Sequence, residues 1–281
     1  MIRPALRPVR KTKRALAIAA FTLVSCSTTI VPASTPTHDM VTLKLYATTP
    51  MIPLLHDLTA RYVQANPYFV FDTLTGNFQT MLDKVISERG AYMLTNHLPD
   101  DTVNTQVMAW PLGQDGIAVI VHPDNLVKQL TAEQLRSIYL GHISNWRDVG
   151  GDDLDITVFS REDGSGTRAE FERLVMGTRQ TTQSAQLAPS SAAMVEGVSM
   201  NKGAIGYVSM SFVDERVKAL TIDDSAPTLE NVYSNIYPLR STIYVIGLEE
   251  PEGDYRNFIY WIQSQEGQTV VAQHYAPVLR P

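Results

Sequence analysis

The sequence predicts an α/β fold, on three observations. Strand-type and helix-type patterns alternate along the chain, which places ligands at strand C-termini and helix N-termini. One strand–turn–helix unit, residues 154–177, carries a glycine-containing turn at the point where its helix should start. The 281 residues are 44% hydrophobic and 19% charged, enough for one or two lobes with real cores.

Taken in order, Val41 to Ala47 is a strand, and Thr48-Thr49-Pro50 is a helix start with Thr49 as N-cap and Pro50 at the first helical position. Leu55, Leu58, Tyr62 and Val63 form that helix's apolar face. Tyr68 to Thr73 is a second strand. Phe78, Met81, Leu82, Val85 and Ile86 line a second amphipathic helix that ends by Gly90. Ala91 to Asn96, Gln106 to Leu112 and Gly116 to Val121 supply further strands. Leu154 to Phe159 alternates as a buried strand, and Phe171, Leu174 and Val175 repeat at helical spacing up to Gly177. Phe258, Ile259, Trp261 and Ile262 give a closing helix its buried face, and their aromatic rings read as core.

Residues 160–168 read Ser-Arg-Glu-Asp-Gly-Ser-Gly-Thr-Arg. Gly164 and Gly166 let a turn bring backbone N–H groups close to a ligand with no Cβ in the way. A helix N-terminus adds unpaired N–H donors and a partial positive charge, which suits an oxyanion. Ser165 and Thr167 contribute hydroxyls, and Arg161 can form a bidentate, charge-assisted pair. Asp163 is placed to hold the Arg161 guanidinium or to satisfy turn N–H groups. The same stretch also fits a plain helix cap at Ser165 or Thr167, because Thr167-Arg168-Ala169-Glu170 matches the capping-box pattern. Local sequence leaves the two readings open.

Arg3, Arg7, Arg10, Lys11, Lys13 and Arg14 precede an apolar stretch, Ala15 to Val24, too short to span a bilayer. Leu23-Val24-Ser25-Cys26 closes it, and the whole resembles a bacterial lipoprotein signal, implying cleavage after residue 25 and lipid attachment at Cys26. A plain secretory signal cut further on is the alternative; both take the protein out of the cytoplasm. Residues 26–40, rich in Ser, Thr and Pro, read as a flexible tether. The single cysteine excludes an internal disulfide. Without residues 1–25 the chain keeps 17 Lys+Arg against 29 Asp+Glu, a net −12, which argues against nucleic acid and against any general attraction for anions. Anion specificity must then come from a local, desolvated site.

Several segments together resemble the phosphate-binding (PstS-like) substrate-binding proteins of ABC phosphate importers. They are the loop Ser160 to Thr167, the run Asp115 to Asn125, Leu130 to Tyr139 with Gly141 to Gly151, Gly203 to Ser209, Ile236 to Leu239, and Glu266-Gly267-Gln268. The resemblance is dense from about residue 110 to 245. It implies a two-lobed periplasmic-binding-protein-like (type II) α/β fold with two crossover strands, near 110–121 and 235–246. Residues 41–112 plus 241–281 would form lobe I and 113–240 lobe II, closing by hinge motion over the anion. It further implies a monomeric, extracytoplasmic, lipid-anchored protein that captures an oxyanion, phosphate by default, and delivers it to an ABC permease in the membrane.

The same resemblance places Arg161, Ser165, Gly166 and Thr167 on the ligand from lobe II, with Asp163 and Gly164 supporting them, and Thr48, Thr49 and Asn96 on it from lobe I. Lobe I departs from the family pattern. Ala47-Thr48-Thr49-Pro50 stands where a Gly-Ser-Thr-Ser loop is usual, and Pro50 has neither hydroxyl nor N–H. Thr73 to Phe78 has one glycine where a Gly-rich loop is usual, and Asn96 takes the place of an aspartate that accepts a phosphate proton. A ligand-deficient or other-ligand lipoprotein, serving as an interaction or sensor module, is therefore the second reading. A serine hydrolase is a third, but Gly-Ser-Gly lacks the Gly-x-Ser-x-Gly elbow and no histidine has partner spacing, so no catalytic residue is assigned. His38, His56, His97, His122, His142 and His274 are scattered without metal-type pairs and read as surface or satisfied structure, with no metal and no cofactor implied.

Overall fold

Alternation in Val41–Thr48 (β1) makes a strand that lies between Phe69–Asp72 (β2) and Ala91–Thr95 (β4), parallel to both, with the short Thr75–Gly76 (β3) also pairing with β1. The computed structural model describes residues 39–99 and 106–279; the signal segment, residues 26–38 of the tether and Cys26 lie outside the described residues. Helices α1 (Ile52–Ala65) and α2 (Phe78–Ser87) return the chain between these strands. The first buries Leu54, Leu55, Leu58 and Tyr62, the second Phe78, Met81, Leu82 and Val85. Ile86, expected on the buried face of α2, is exposed.

Met108–Val121 (β5) then runs out of this half into the other, where Gln129–Leu130 (β6), Ala132–Tyr139 (α3), Thr157–Arg161 (β7), Gly166–Phe171 (α4), Gln186–Ala188 (β8), Ser191–Ser199 (α5) and Ala204–Ser209 (β9) follow. Lys218–Ala219 (β10), Thr221–Ile222 (β11) and Leu229–Tyr233 (α6) lead to Arg240–Gly247 (β12), which returns to the first half. Gly253–Gln263 (α7), Gln265–Val271 (α8) and Ala276–Pro277 (β13) complete it. The main sheet has the order β2-β1-β4-β12-β5-β9-β7-β8. Its two outer parts are parallel, and the antiparallel pair β12–β5 joins them.

The core follows this division. Leu45, Leu58, Leu94, Val245, Phe258 and Ile262 pack in the first half (the first lobe), and Val119, Tyr139, Trp146, Phe171 and Tyr207 pack in the second (the second lobe). Trp261 is half-buried and meets the Tyr62 ring edge-on at 5.1 Å, so the closing helix's aromatics are indeed core. At the crossing of the halves, side chains are excluded by contact. A Cβ on Gly113 would lie 2.7 Å from the Ala276 carbonyl oxygen, and one on Gly116 2.1 Å from the Met210 sulfur.

Three expectations change. The strands expected at 106–112 and 116–121 are one continuous strand, β5, because β12 pairs along it from Met108 to Gly116. The second crossover starts at Arg240 rather than 235, since Asn235 adopts φ 58° and ends any extended run there. Thr49 is no N-cap: Pro50 and Pro53 both sit in opening turns, so a 3₁₀ turn over Thr49–Met51 precedes α1, and the Thr49 hydroxyl donates to the Gly76 carbonyl at 3.1 Å.

Gln268 on α8 is fully buried and ties four backbone groups together. Its amide donates to the carbonyls of Leu112 and Ile262 and accepts from the N–H groups of Val278 and Leu279. Gln268→Leu keeps the volume and strands all four, so urea unfolding should register a loss of about 2–4 kcal/mol. A loss under about 0.5 kcal/mol, the scale of an ordinary surface substitution, would mean that solvent reaches these groups.

Candidate anion-binding cleft

Strand β7 delivers the loop. Its last two residues are fixed by Tyr207 of β9, whose hydroxyl lies 3.0 Å from the Ser160 hydroxyl and accepts from the Arg161 backbone N–H at 3.2 Å. Burial pushes the Tyr207 phenol up to about 12, so it serves as a neutral hydrogen-bonding group, and its ring stacks on Phe171 at 4.0 Å. The chain then turns through Gly164 at φ +79°, a conformation that favours glycine. Ser165 is the N-cap of α4, accepting from the Arg168 N–H at 3.3 Å. The Thr167–Glu170 capping box does not form, because α4 starts at Gly166 with Ser165 as its N-cap, and Glu170 meets His97 of the other lobe instead. After Phe171 the helix continues as one π-helical turn, Glu172–Met176, and ends at Gly177.

Arg161 is 1% exposed. Its guanidinium is held by Glu162, with Nε to Oε2 at 2.9 Å and Nη2 to Oε1 at 3.0 Å, and it also donates to the Ala188 carbonyl and the Ser191 hydroxyl. Asp163, expected to hold this guanidinium, does not: it is exposed and accepts from Arg168 at 2.6 Å. A buried guanidinium at the end of a strand matches a site for an oxyanion, and the adjacent carboxylate offsets part of its desolvation.

Facing the loop across the cleft are Asn96 and His97, after β4, and the start of α2. A Cβ on Gly166 would meet the Cβ atoms of His97 at 3.1 Å and Phe78 at 3.4 Å and the Asn96 Oδ1 at 3.5 Å. The Gln79 N–H donates to the Gly164 carbonyl at 3.2 Å. The lobes therefore touch through Gly164 and Gly166, where any side chain would hold them apart. Asn96 is 1% exposed and Thr167 fully buried, yet neither end of the Asn96 amide nor the Thr167 hydroxyl has a hydrogen-bond partner. Buried polar groups are seldom left so. Thr48, also buried, makes one long contact of 3.4 Å to the Leu94 carbonyl, whereas Thr49 is turned away to Gly76.

At the cleft mouth His97 and Glu170 form a hydrogen-bonded contact between the lobes, Nδ1 to Oε1 at 2.8 Å, with Arg173 on the other Glu170 oxygen at 2.6 Å. Burial works to raise the Glu170 carboxyl, but hydrogen bonds from His97 and Arg173 outweigh it and hold the carboxyl below its usual range. A cavity of about 240 Å³ opens beside the pair, lined by Phe78, Gln79, His97, Gly164, Ser165 and Arg168 among others. Sequence had put His97 among bland histidines and Glu170 in a helix cap. No local pattern could reveal them, since the partners are 73 residues apart. Ser191, at Arg161, was missed for the same reason.

Two lobes on paired crossover strands, meeting over unpartnered buried donors, define a two-lobed ligand-binding protein. The chain belongs to the PBP superfamily, whose domain model matches residues 82–266. It is 29% identical over 236 residues to the phosphate-binding protein PstS of Bacillus subtilis strain 168, covering 81% of this chain and 78% of that protein. Among solved structures, a putative phosphate ABC transporter substrate-binding protein with bound phosphate from Clostridium perfringens superposes with a TM-score of 0.80 at 29% identity, over 85% of this chain and 100% of that one. An ABC-type phosphate transport receptor from Vibrio cholerae gives 0.69 at 25% identity, over 83% and 98%.

Glu170→Gln keeps the shape and removes the charge that His97 and Arg173 share. At neutral pH it should lower stability by about 1–2 kcal/mol, the scale of a charge-assisted bond in a mostly buried pair. Because the folded carboxyl titrates below its ordinary 4.5, this contribution is present above that value and lost as pH falls below it. Melting curves of both proteins should thus converge in acid. A difference independent of pH would show that the Glu170 charge contributes nothing.

Proposed function

We propose that this chain is an extracytoplasmic substrate-binding protein that captures one tetrahedral oxyanion, phosphate by default, between its lobes and delivers it to an ABC permease without chemical turnover. The observation that carries this reading is the cluster of buried, unpartnered polar groups from both lobes, Asn96 and Thr167, where Gly166 brings the two backbones together. The phosphate-binding relatives and the phosphate-bound structural neighbour support the same ligand class. In this reading lobe I is 41–112 plus 241–281 and lobe II is 113–240. Arg161, Ser165, Gly166 and Thr167 hold the anion from lobe II, Thr48 and Asn96 from lobe I, with Gly164 shaping the loop. Thr49 acts indirectly, through the Gly76 backbone.

Asn96 sets the discrimination. Monohydrogen phosphate carries a proton to donate and sulfate does not, so a carboxylate here would accept the first and repel the second; an amide can turn either donor or acceptor to the ligand. Weaker selectivity between the two anions follows. The protein is membrane-attached through lipid on Cys26 and works as a monomer. Among the described residues no helix is long and apolar enough to cross a membrane.

Calorimetry of the mature protein against phosphate, arsenate and sulfate should give one site per chain. Arg161→Ala should weaken phosphate by roughly tenfold to a hundredfold, the equivalent of about 1.5–3 kcal/mol for a charge-assisted contact. Thr167→Val, losing one neutral donor, should cost less. Asn96→Asp should depress sulfate binding while phosphate is kept. Flat titrations for every anion favour the ligand-deficient module, and an Arg161→Ala protein within about twofold of wild type, far short of tenfold per 1.4 kcal/mol, places the site elsewhere.

Attachment is tested separately. Cys26→Ser should release the protein from the membrane fraction or block its maturation, and intact protein should carry the mass of its acyl chains. Unchanged membrane association with no added mass on Cys26 would sink the lipid anchor.

A further inference from the structure

A second polar network lies where the crossover strands pair. Asp115 on β5 is fully buried, and its partner across the pair is Ser241 of β12. From Asp115 a line of oxygens runs through both lobes. Asp115 Oδ1 is 2.8 Å from the Ser209 hydroxyl, Ser209 is 2.8 Å from Ser211, Ser211 is 3.1 Å from the Tyr275 hydroxyl, and Tyr275 donates to the Pro50 carbonyl at 2.7 Å. Ser209 and Ser211 belong to the second lobe, Tyr275 and Pro50 to the first. Pro50 follows Thr48 and Thr49 directly, so the line ends on the first lobe's anion loop.

Proton counting decides the state of this line. It has four oxygen–oxygen contacts, and Ser209, Ser211 and Tyr275 bring three hydroxyl protons. With Asp115 ionised, one contact sets two acceptors against each other. As placed, the Tyr275 hydroxyl faces both Ser211 and Pro50 as donor and has one proton for the two; with Asp115 protonated, Ser211 turns its own proton to Tyr275, each group donates to the next, and every contact is a hydrogen bond. We propose that Asp115 is held as a neutral acid at the hinge and is a positioning residue for the anion loop, so that lobe closure, and with it oxyanion binding, weakens when it ionises. Rotation of the lobes must alter the Ser211–Tyr275 contact, which is the one step of the line that passes from lobe to lobe.

The surroundings agree. Burial pushes the Asp115 carboxyl up to about 7, against the opposing pull of the Ser209 hydroxyl and the Met210 and Gly116 backbone. Among the described residues no cation contacts it. Arg240, beside Ser241 on β12, turns its guanidinium to the Tyr237 carbonyl, and Asp57, behind Tyr275, is engaged by His56 and His274. Tyr275, the titratable group facing Asp115, is raised by its own burial and then by the Asp115 charge, so it stays a proton donor. Since the folded value lies above the ordinary 3.8, the contribution is whole below 3.8 and lost as pH rises through about 7.

The test compares wild type with Asp115→Asn and Tyr275→Phe, from about pH 5 to about pH 8.5, a span that brackets the window over which such an acid ionises. Hydrogen exchange at the Gln79 amide, which donates across the cleft to Gly164, reads closure in ligand-free protein. Wild type should exchange faster than Asp115→Asn at the high pH and match it at the low one. Phosphate titrations form the second arm, and this arm alone rests on the oxyanion reading. The ratio of wild-type to Asp115→Asn Kd cancels the ligand's own ionisation, and it should rise with pH by about tenfold for each pKa unit that closure adds to the acid. Tyr275→Phe should weaken phosphate severalfold at both pH values. An unchanging exchange ratio, or a Tyr275→Phe protein that binds like wild type, overturns the proposal; absence of phosphate binding in wild type overturns the ligand reading and leaves the exchange arm to decide this one.

Discussion

The structure depends on one constraint, the antiparallel pairing of β5 with β12. Every parallel strand of the first lobe reaches the second only through this pair, because β4 bonds to β12 and β9 to β5. A single 14-residue strand must therefore serve two cores, giving Leu112 to one and Ile117, Val119 and Val121 to the other. Between them stand Gly113 and Gly116, whose neighbours leave no room for a Cβ. Register here fixes the relation of the loops that follow β1 and β7, strands that never bond to one another within the sheet.

The site illustrates how local chemistry overrides global charge. A chain with 29 acidic and 23 basic residues is net negative and repels anions at long range, but screening confines that field to about 8 Å of water at physiological salt. Arg161 sits behind that screen, 1% exposed and held by Glu162. Neutralising the guanidinium in part makes its burial tolerable and lowers its attraction for an anion. In the proposed site the balance of the attraction then falls to dipoles: the N–H groups behind Ser165, the Thr167 hydroxyl and the Asn96 amide. Such a site discriminates by geometry more than by charge, which suits a first lobe that has an amide where a carboxylate is usual.

Periodicity made most of the fold legible. Strands β1, β2 and β4 and the buried faces of α1 and α2 follow from alternation and helical spacing, and Gly90, Gly164 and Gly177 fall at positive φ where turns were expected. Boundaries failed where a second, distant segment decided them. Residues 106–121 read as two strands because Gly113 to Gly116 breaks the pattern, while the β12 ladder carries pairing through that gap. In the site, the loop 160–167 was legible because its parts are adjacent in sequence. Glu162 was passed over for Asp163, because sequence does not say which neighbouring carboxylate turns to the guanidinium, and Ser191, His97 and Glu170 were missed because their partners lie 30 or 73 residues away.

Closing the cleft has opposing consequences, and their difference is what makes the protein a receptor. The His97–Glu170 pair and the Gln79–Gly164 hydrogen bond favour the touching lobes. Each is a single contact near the surface or to the backbone, about 1–2 kcal/mol. Against them, closure dehydrates both ends of the Asn96 amide and the Thr167 hydroxyl without giving any of the three a protein partner, at about 1–3 kcal/mol each. The two sums overlap, so the protein alone is poised near balance between open and touching lobes. In the proposed site, a tetrahedral oxyanion between Asn96 and Thr167 would tip the balance to closure by supplying acceptors to the hydroxyl and the amide N–H, and a protonated one would also supply the donor that the amide oxygen lacks.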